Sequence, residues 1–102
     1  MNKYITRNAI KKADKINTLG MALEGSKKDE IEYVLGRLTV DSRKIRSLYR
    51  KKDPYWSIET AHLIFHSIKL LRLHSKNINK LLEKTSLEFE KILKSRLKRR
   101  QK

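Results

Sequence analysis

The chain has 102 residues, room for one domain with a modest core and little space for a multi-site catalytic architecture. Lys and Arg number 26 against 11 Asp and Glu, a net charge of +15, an excess that calls for a polyanionic partner such as DNA, RNA or an anionic lipid surface. Cysteine is absent, which excludes disulfides, thiolate catalysis and cysteine-rich zinc sites and fits a reducing interior.

With 38% hydrophobic and 36% charged residues, three Gly and one Pro, the composition favours long helices, so the expected class is all-α. No apolar run approaches the roughly 18 residues of a membrane span, and no apolar stretch follows the N-terminal Met1-Asn2-Lys3-Tyr4. The expectation is a cytoplasmic protein with no membrane partner.

Between Lys3 and Glu24 the residues Ile5, Ala9, Ala13, Ile16, Leu19 and Leu23 recur at helical spacing and predict the first helix. Gly25 is placed to stop it, and Ser26 with Asp29 three residues on resembles a capping box that opens a second helix. Ile31, Val34, Leu35 and Leu38 form the apolar face of that helix. Thr39-Val40 then interrupts the pattern, and Asp41, a favoured capping residue, predicts a third helix from Ser42 to about Lys52. Pro54 ends it.

Ser57 is the expected cap of a longer helical region, with Trp56 ahead of it. There Ala61, Ile64, Ile68, Leu71, Ser75, Ile78, Leu82, Thr85, Phe89 and Ile92 alternate at spacings of three and four, a heptad seam. Further leucines widen the stripe, so residues 57–98 read either as one long helix or as two helices folding back near His74-Ser75-Lys76-Asn77. Both readings leave more apolar surface than the preceding helices can cover. The stretch is therefore assigned to homodimerisation through Ile64, Ile68, Leu71, Ile78, Leu82, Phe89 and Ile92. Residues 99–102 form a basic tail that continues the cationic run Lys91, Lys94, Arg96, Lys98, and is suited to extra phosphate contacts.

The string Val34-Leu35-Gly36-Arg37-Leu38-Thr39-Val40-Asp41-Ser42-Arg43-Lys44-Ile45-Arg46-Ser47-Leu48 resembles the core of helix-turn-helix DNA-binding proteins. Val34, Leu38, Val40, Asp41, Lys44, Ile45 and Leu48 fit that pattern. Leu35 stands where it has a small residue, and Thr39 where it usually has Gly. The resemblance covers fifteen residues and implies a helix-turn-helix region within 1–53 that docks on duplex DNA. It also implies that Ser42, Arg43, Lys44 and Ser47 face bases, while Arg46, Arg50, Lys51 and Lys52 face phosphates.

Independently of the resemblance, residues 43–52 carry six cations and no acid until Asp53, chemistry that suits guanine edges and phosphates. The bland reading of the same run is the solvated face of a core helix. Tyr49, Tyr55 and Trp56 beside it are expected to pack at a helix junction, base stacking being the other use of such rings. Glu59, His62 and His66 share a helical face, but no fourth metal ligand is evident. No nucleophile–base pair, paired acids, phosphate loop or cofactor motif is found, so catalysis is not expected.

The sequence thus predicts a sequence-specific binder of double-stranded DNA, a homodimeric regulator or accessory factor for transcription, plasmid or phage replication, or DNA transfer. The competing reading is a small basic subunit of a ribonucleoprotein or nucleic-acid-processing complex that docks on a larger protein partner. A third is an inhibitor of a nucleic-acid enzyme, which would bind protein and not DNA.

Overall fold

A computed structural model describes residues 4–74 and 77–101. They form four helices, α1 (Arg7–Glu24), α2 (Lys27–Arg50), α3 (Trp56–His74) and α4 (Ile78–Arg100), so the chain is all-α. No helix among them is long and apolar enough to cross a membrane.

Local chemistry sets the first boundaries. The Thr6 hydroxyl accepts from the Ala9 amide and starts α1. Gly25, at φ 98°, takes the left-handed conformation that favours glycine, and its amide donates to the Met21 carbonyl, ending α1. Ser26 then accepts from the Asp29 amide and opens α2, whose first turn carries Asp29 and Glu30 where the helix dipole favours acids.

The turn expected at Thr39-Val40 does not form: α2 runs unbroken from Lys27 to Arg50, joining the expected second and third helices into one. No Gly or Pro lies between Arg37 and Asp53 to break it, and the Thr39 hydroxyl donates back to the Leu35 carbonyl within the helix. Asp41 does not cap a helix. It is fully buried mid-helix, where one carboxylate oxygen accepts from Arg37 at 3.2 Å and the other lies 3.9 Å from His66 Nε2 on α3. Tertiary placement has overridden the local capping preference.

A short connection returns the chain from α2 to α3. Lys52 adopts φ 59°, and the Asp53 carboxylate accepts from the Tyr55 amide at 2.9 Å. α2 and α3 make the most extensive helix pairing, with α1 laid against both. The apolar core is small: Ala13, Ile68 and Ile78 are buried, with Ile5, Ile10, Phe65 and Leu71 packed around them.

Beside this core, the α1–α2–α3 junction is ionic. Lys69 Nζ lies 3.3 Å from Glu30 Oε1, both side chains being nearly inaccessible, and the Asn17 amide donates to the Lys69 carbonyl. Gly20 explains how α1 comes so close: a Cβ there would stand 2.5 Å from the Glu30 carboxylate. At the rim, Arg72 makes a two-pronged contact with Asp14.

His66 sits half-buried between these groups. Burial first, then the nearby Lys69, hold its imidazole below the ordinary 6.5, while Asp41 opposes the shift and Arg37 and His62 add to it. The unfolded chain therefore takes up a proton more readily than the folded one. Stability is complete above 6.5 and declines as the pH falls through the lower folded value. Urea midpoints recorded from pH 7.5 to 5 are expected to fall, and His66→Gln is expected to flatten that fall. An unchanged slope in the variant would assign it to another group.

The heptad seam read across residues 61–92 is divided between two helices. Asn77 caps α4 by accepting from the Lys80 amide, whereas Ser75, the fifth seam position, lies outside the described residues. Ile68 and Ile78 are 8% and 1% exposed, and Leu71 packs against them, so these three serve the chain's own core and not a dimer seam. The Asn79 side chain accepts from the Ile5 amide and donates to the Ile5 carbonyl, and the Tyr4 and Ser86 hydroxyls meet at 2.8 Å. Beyond Ser86 every described residue of α4 is exposed. The radius of gyration of 16.5 Å, against about 13 Å for a compact chain this long, reflects that projecting end.

Candidate nucleic-acid interface

α2 has two unlike faces. Glu30, Val34 and Asp41 are buried on the inner one, and Leu38, Ile45 and Leu48 are half-buried along the same line. At 3.6 residues per turn the opposite line carries Gly36, Val40, Arg43, Ser47 and Arg50. Arg46 flanks it on one side, with Lys44 and Lys51 on the other.

Ser42, Arg43, Lys44, Arg46, Ser47, Arg50, Lys51 and Lys52 are all exposed. The structure gathers them at one end of the α2–α3 hairpin. It does not give them the division of labour that the helix-turn-helix resemblance implies, because the turn is absent and no separate first helix crosses in front. Ser42 lies about 100° round the helix from Arg43, off the outward line. Arg43, Ser47 and Arg50, spaced four and three apart, share it.

Among the described residues, none of Arg43, Lys44, Arg46, Arg50, Lys51 and Lys52 makes an ion pair. Arg37, Lys69, Arg72 and Lys94, by contrast, are tied to Asp41, Glu30, Asp14 and Glu90. The acid nearest in sequence on the N-terminal side, Asp41, is buried beneath the helix. On the other side, Asp53 already accepts the Tyr55 amide. The cationic end is thus uncompensated from within. Arg43, Arg46, Ser47, Arg50 and Lys51 line one shallow depression, and Lys44, Ser47, Leu48, Tyr55 and Glu59 line a second.

The aromatic residues at this end do not pack into a core as expected. Tyr49 is 66% exposed, Tyr55 47% and Trp56 39%. Tyr49 and Trp56 meet edge to face, with ring centres 5.8 Å apart. In the sequence they stand beside the basic run, and their exposure shows that they face outward.

Glu59, His62 and His66 do not converge. His62 Nδ1 lies 3.7 Å from Glu59, while His66 turns to Asp41. Of the residues assigned to dimerisation, Ile64, Phe89 and Ile92 are exposed and Leu82 is half-buried. The outer half of α4 adds Leu93 and Leu97, each about 60% exposed, on the flank of the Phe89–Ile92 line. Lys91, Lys94, Arg96, Lys98, Arg99 and Arg100 surround that apolar strip.

Fold and site together define an all-α protein with an uncompensated cationic helix end and a projecting amphipathic helix. No protein-family model matches the sequence, and neither a curated protein nor a solved structure matches it significantly.

Proposed function

We propose that this chain binds double-stranded DNA by setting the outward line of the C-terminal half of α2 into the major groove, as a dimer joined through the exposed strip of α4. The observation that carries this reading is the set of six exposed cations at residues 43–52, to none of which an acid is paired among the described residues. An α-helix fits the major groove, and arginine pairs with the O6 and N7 edge of guanine. Arg43 and Arg50 on the central line are the base-reading residues. Arg46, Lys44 and Lys51 flank them and, with Lys52 just past the end of α2, are assigned to phosphates, with Ser42 and Ser47 contributing hydroxyls.

Dimerisation rests on α4. Phe89, Ile92, Leu93 and Leu97 expose more than half of their surface. Residues 83–90 hold Glu83, Glu88 and Glu90 with one cation, Lys84, whereas residues 91–100 are purely cationic among their charged side chains. An antiparallel pair of α4 helices buries the strip and lays the basic end of one copy beside Glu88 and Glu90, midway along the other.

The test is selection of bound duplexes from a random pool at two salt concentrations, with sedimentation of the free protein alongside. An enriched, two-fold symmetric site and a dimer are the expected results. Uniform recovery of all duplexes with a monomer would instead favour the ribonucleoprotein-subunit reading, in which the α4 strip docks on a larger partner.

A further inference from the structure

Trp56 is the only tryptophan of the chain, and it is 39% exposed in a domain with so little apolar core to spare. Its partner Tyr49 is 66% exposed and stands at 86° to it. An edge-to-face pair covers at most one face of each ring. The remaining surface opens on a depression lined by Tyr49, Arg50, Lys52, Pro54 and Trp56. Two walls of that depression are aromatic and two are cationic. Asp53, which stands between Lys52 and Pro54 in the chain, has a carboxylate oxygen engaged by the Tyr55 amide.

We infer that this corner at the tip of the α2–α3 hairpin is a binding site for an unpaired nucleobase, which stacks on the Trp56 ring beside Tyr49 while its flanking phosphates meet Arg50 and Lys52. A flat ring with a negatively charged linkage on either side matches an aromatic wall bordered by cations. An apolar peptide does not, since it would leave Arg50 and Lys52 unanswered. Inside a duplex both faces of a base are covered by its neighbours, so the base must come from an overhang, a bulge or a single strand. Arg50 lies both on the outward line of α2 and in this corner, so the site sits where duplex and unpaired strand would meet. In that respect it deepens the DNA-binding reading, yet stacking itself requires no duplex.

Because Trp56 is the sole tryptophan, its fluorescence reports the site directly. The full chain is titrated with a blunt duplex, the same duplex bearing a three-nucleotide overhang, and the single strand alone, while affinity is followed by anisotropy of labelled DNA. The overhang duplex is expected to quench the emission and to bind about tenfold more tightly than the blunt one, the effect of one stacked base. Trp56→Ala is expected to remove that gain and leave blunt-duplex affinity unchanged, Trp56→Phe to restore part of it, and circular dichroism to show all variants folded.

Equal affinity and equal quenching for blunt and overhang duplexes would overturn the inference while leaving duplex binding intact. So would equal losses on both in Trp56→Ala. Quenching by the single strand with no binding of the blunt duplex would do the reverse, supporting the stacking site and removing the duplex reading. Binding of neither would overturn both.

Discussion

Lys69→Met is expected to lower the unfolding free energy by about 3–5 kcal/mol, the usual consequence of stranding one member of a buried ion pair. The ammonium of Lys69 and the carboxylate of Glu30 are 3.3 Å apart with side chains 6% and 2% exposed. Gly20 lies close to the same carboxylate from α1, and Glu30 is only 2% exposed, so the charge left behind is a buried one. The domain has only a few buried apolar residues, and a loss of this size is a large part of the stability available to a protein of this length. Urea unfolding at neutral pH followed by circular dichroism measures it. Replacing both partners, Glu30→Leu with Lys69→Met, is expected to recover most of the loss, because two apolar side chains need no compensation. A single variant that loses less than about 1 kcal/mol would mean that water reaches the pair.

Changing Arg43, Arg46, Arg50 and Lys51 together to glutamine is expected to have the largest effect on binding. Arg46 and Lys51 are assigned to phosphates, so the slope of log affinity against log salt falls by about 1.8, two contacts at about 0.9 each, while loss of Arg43 and Arg50 removes the preference between selected and random duplexes. Folding is expected to be spared to within about 0.5 kcal/mol, since none of the four is buried or ion-paired in the described structure. The comparison set is Lys91, Arg96, Lys98 and Arg99 of α4, equal in charge and also exposed. Their removal lowers the salt slope as well but leaves the preference between selected and random duplexes unchanged. Loss of preference in the α4 set and not in the α2 set would relocate the reading element.

The parts of the fold that were legible in the sequence are those fixed by nearby atoms. Gly25 and Ser26 mark the α1–α2 boundary because a left-handed backbone and a hydroxyl cap act within one turn of chain. Pro54 and Asp53 mark the next one for the same reason. Asp41 misleads because its residue type is a good cap, while its actual role is set by Arg37 one turn back and His66 on another helix. Ile68 and Ile78 mislead differently. Periodicity shows that an apolar side chain must be covered, not whether the cover comes from the same chain. The cationic run at residues 43–52 was legible in composition, and its freedom from acids follows only once Asp41 is seen to be buried. The outward aromatic corner had no sequence signal beyond proximity to that run.

The segment ahead of α1 does more than lead into it. Through Tyr4 to Ser86 and Ile5 to Asn79 it is fastened to the first turns of α4, which otherwise has little contact with the body. Those three bonds act as a guy-rope that sets the heading of the protruding rod. In the two-copy assembly proposed above, that heading would govern how far apart the two cationic helix ends are held, so trimming or re-routing a few residues far from any groove would retune the separation of the two sites proposed for them.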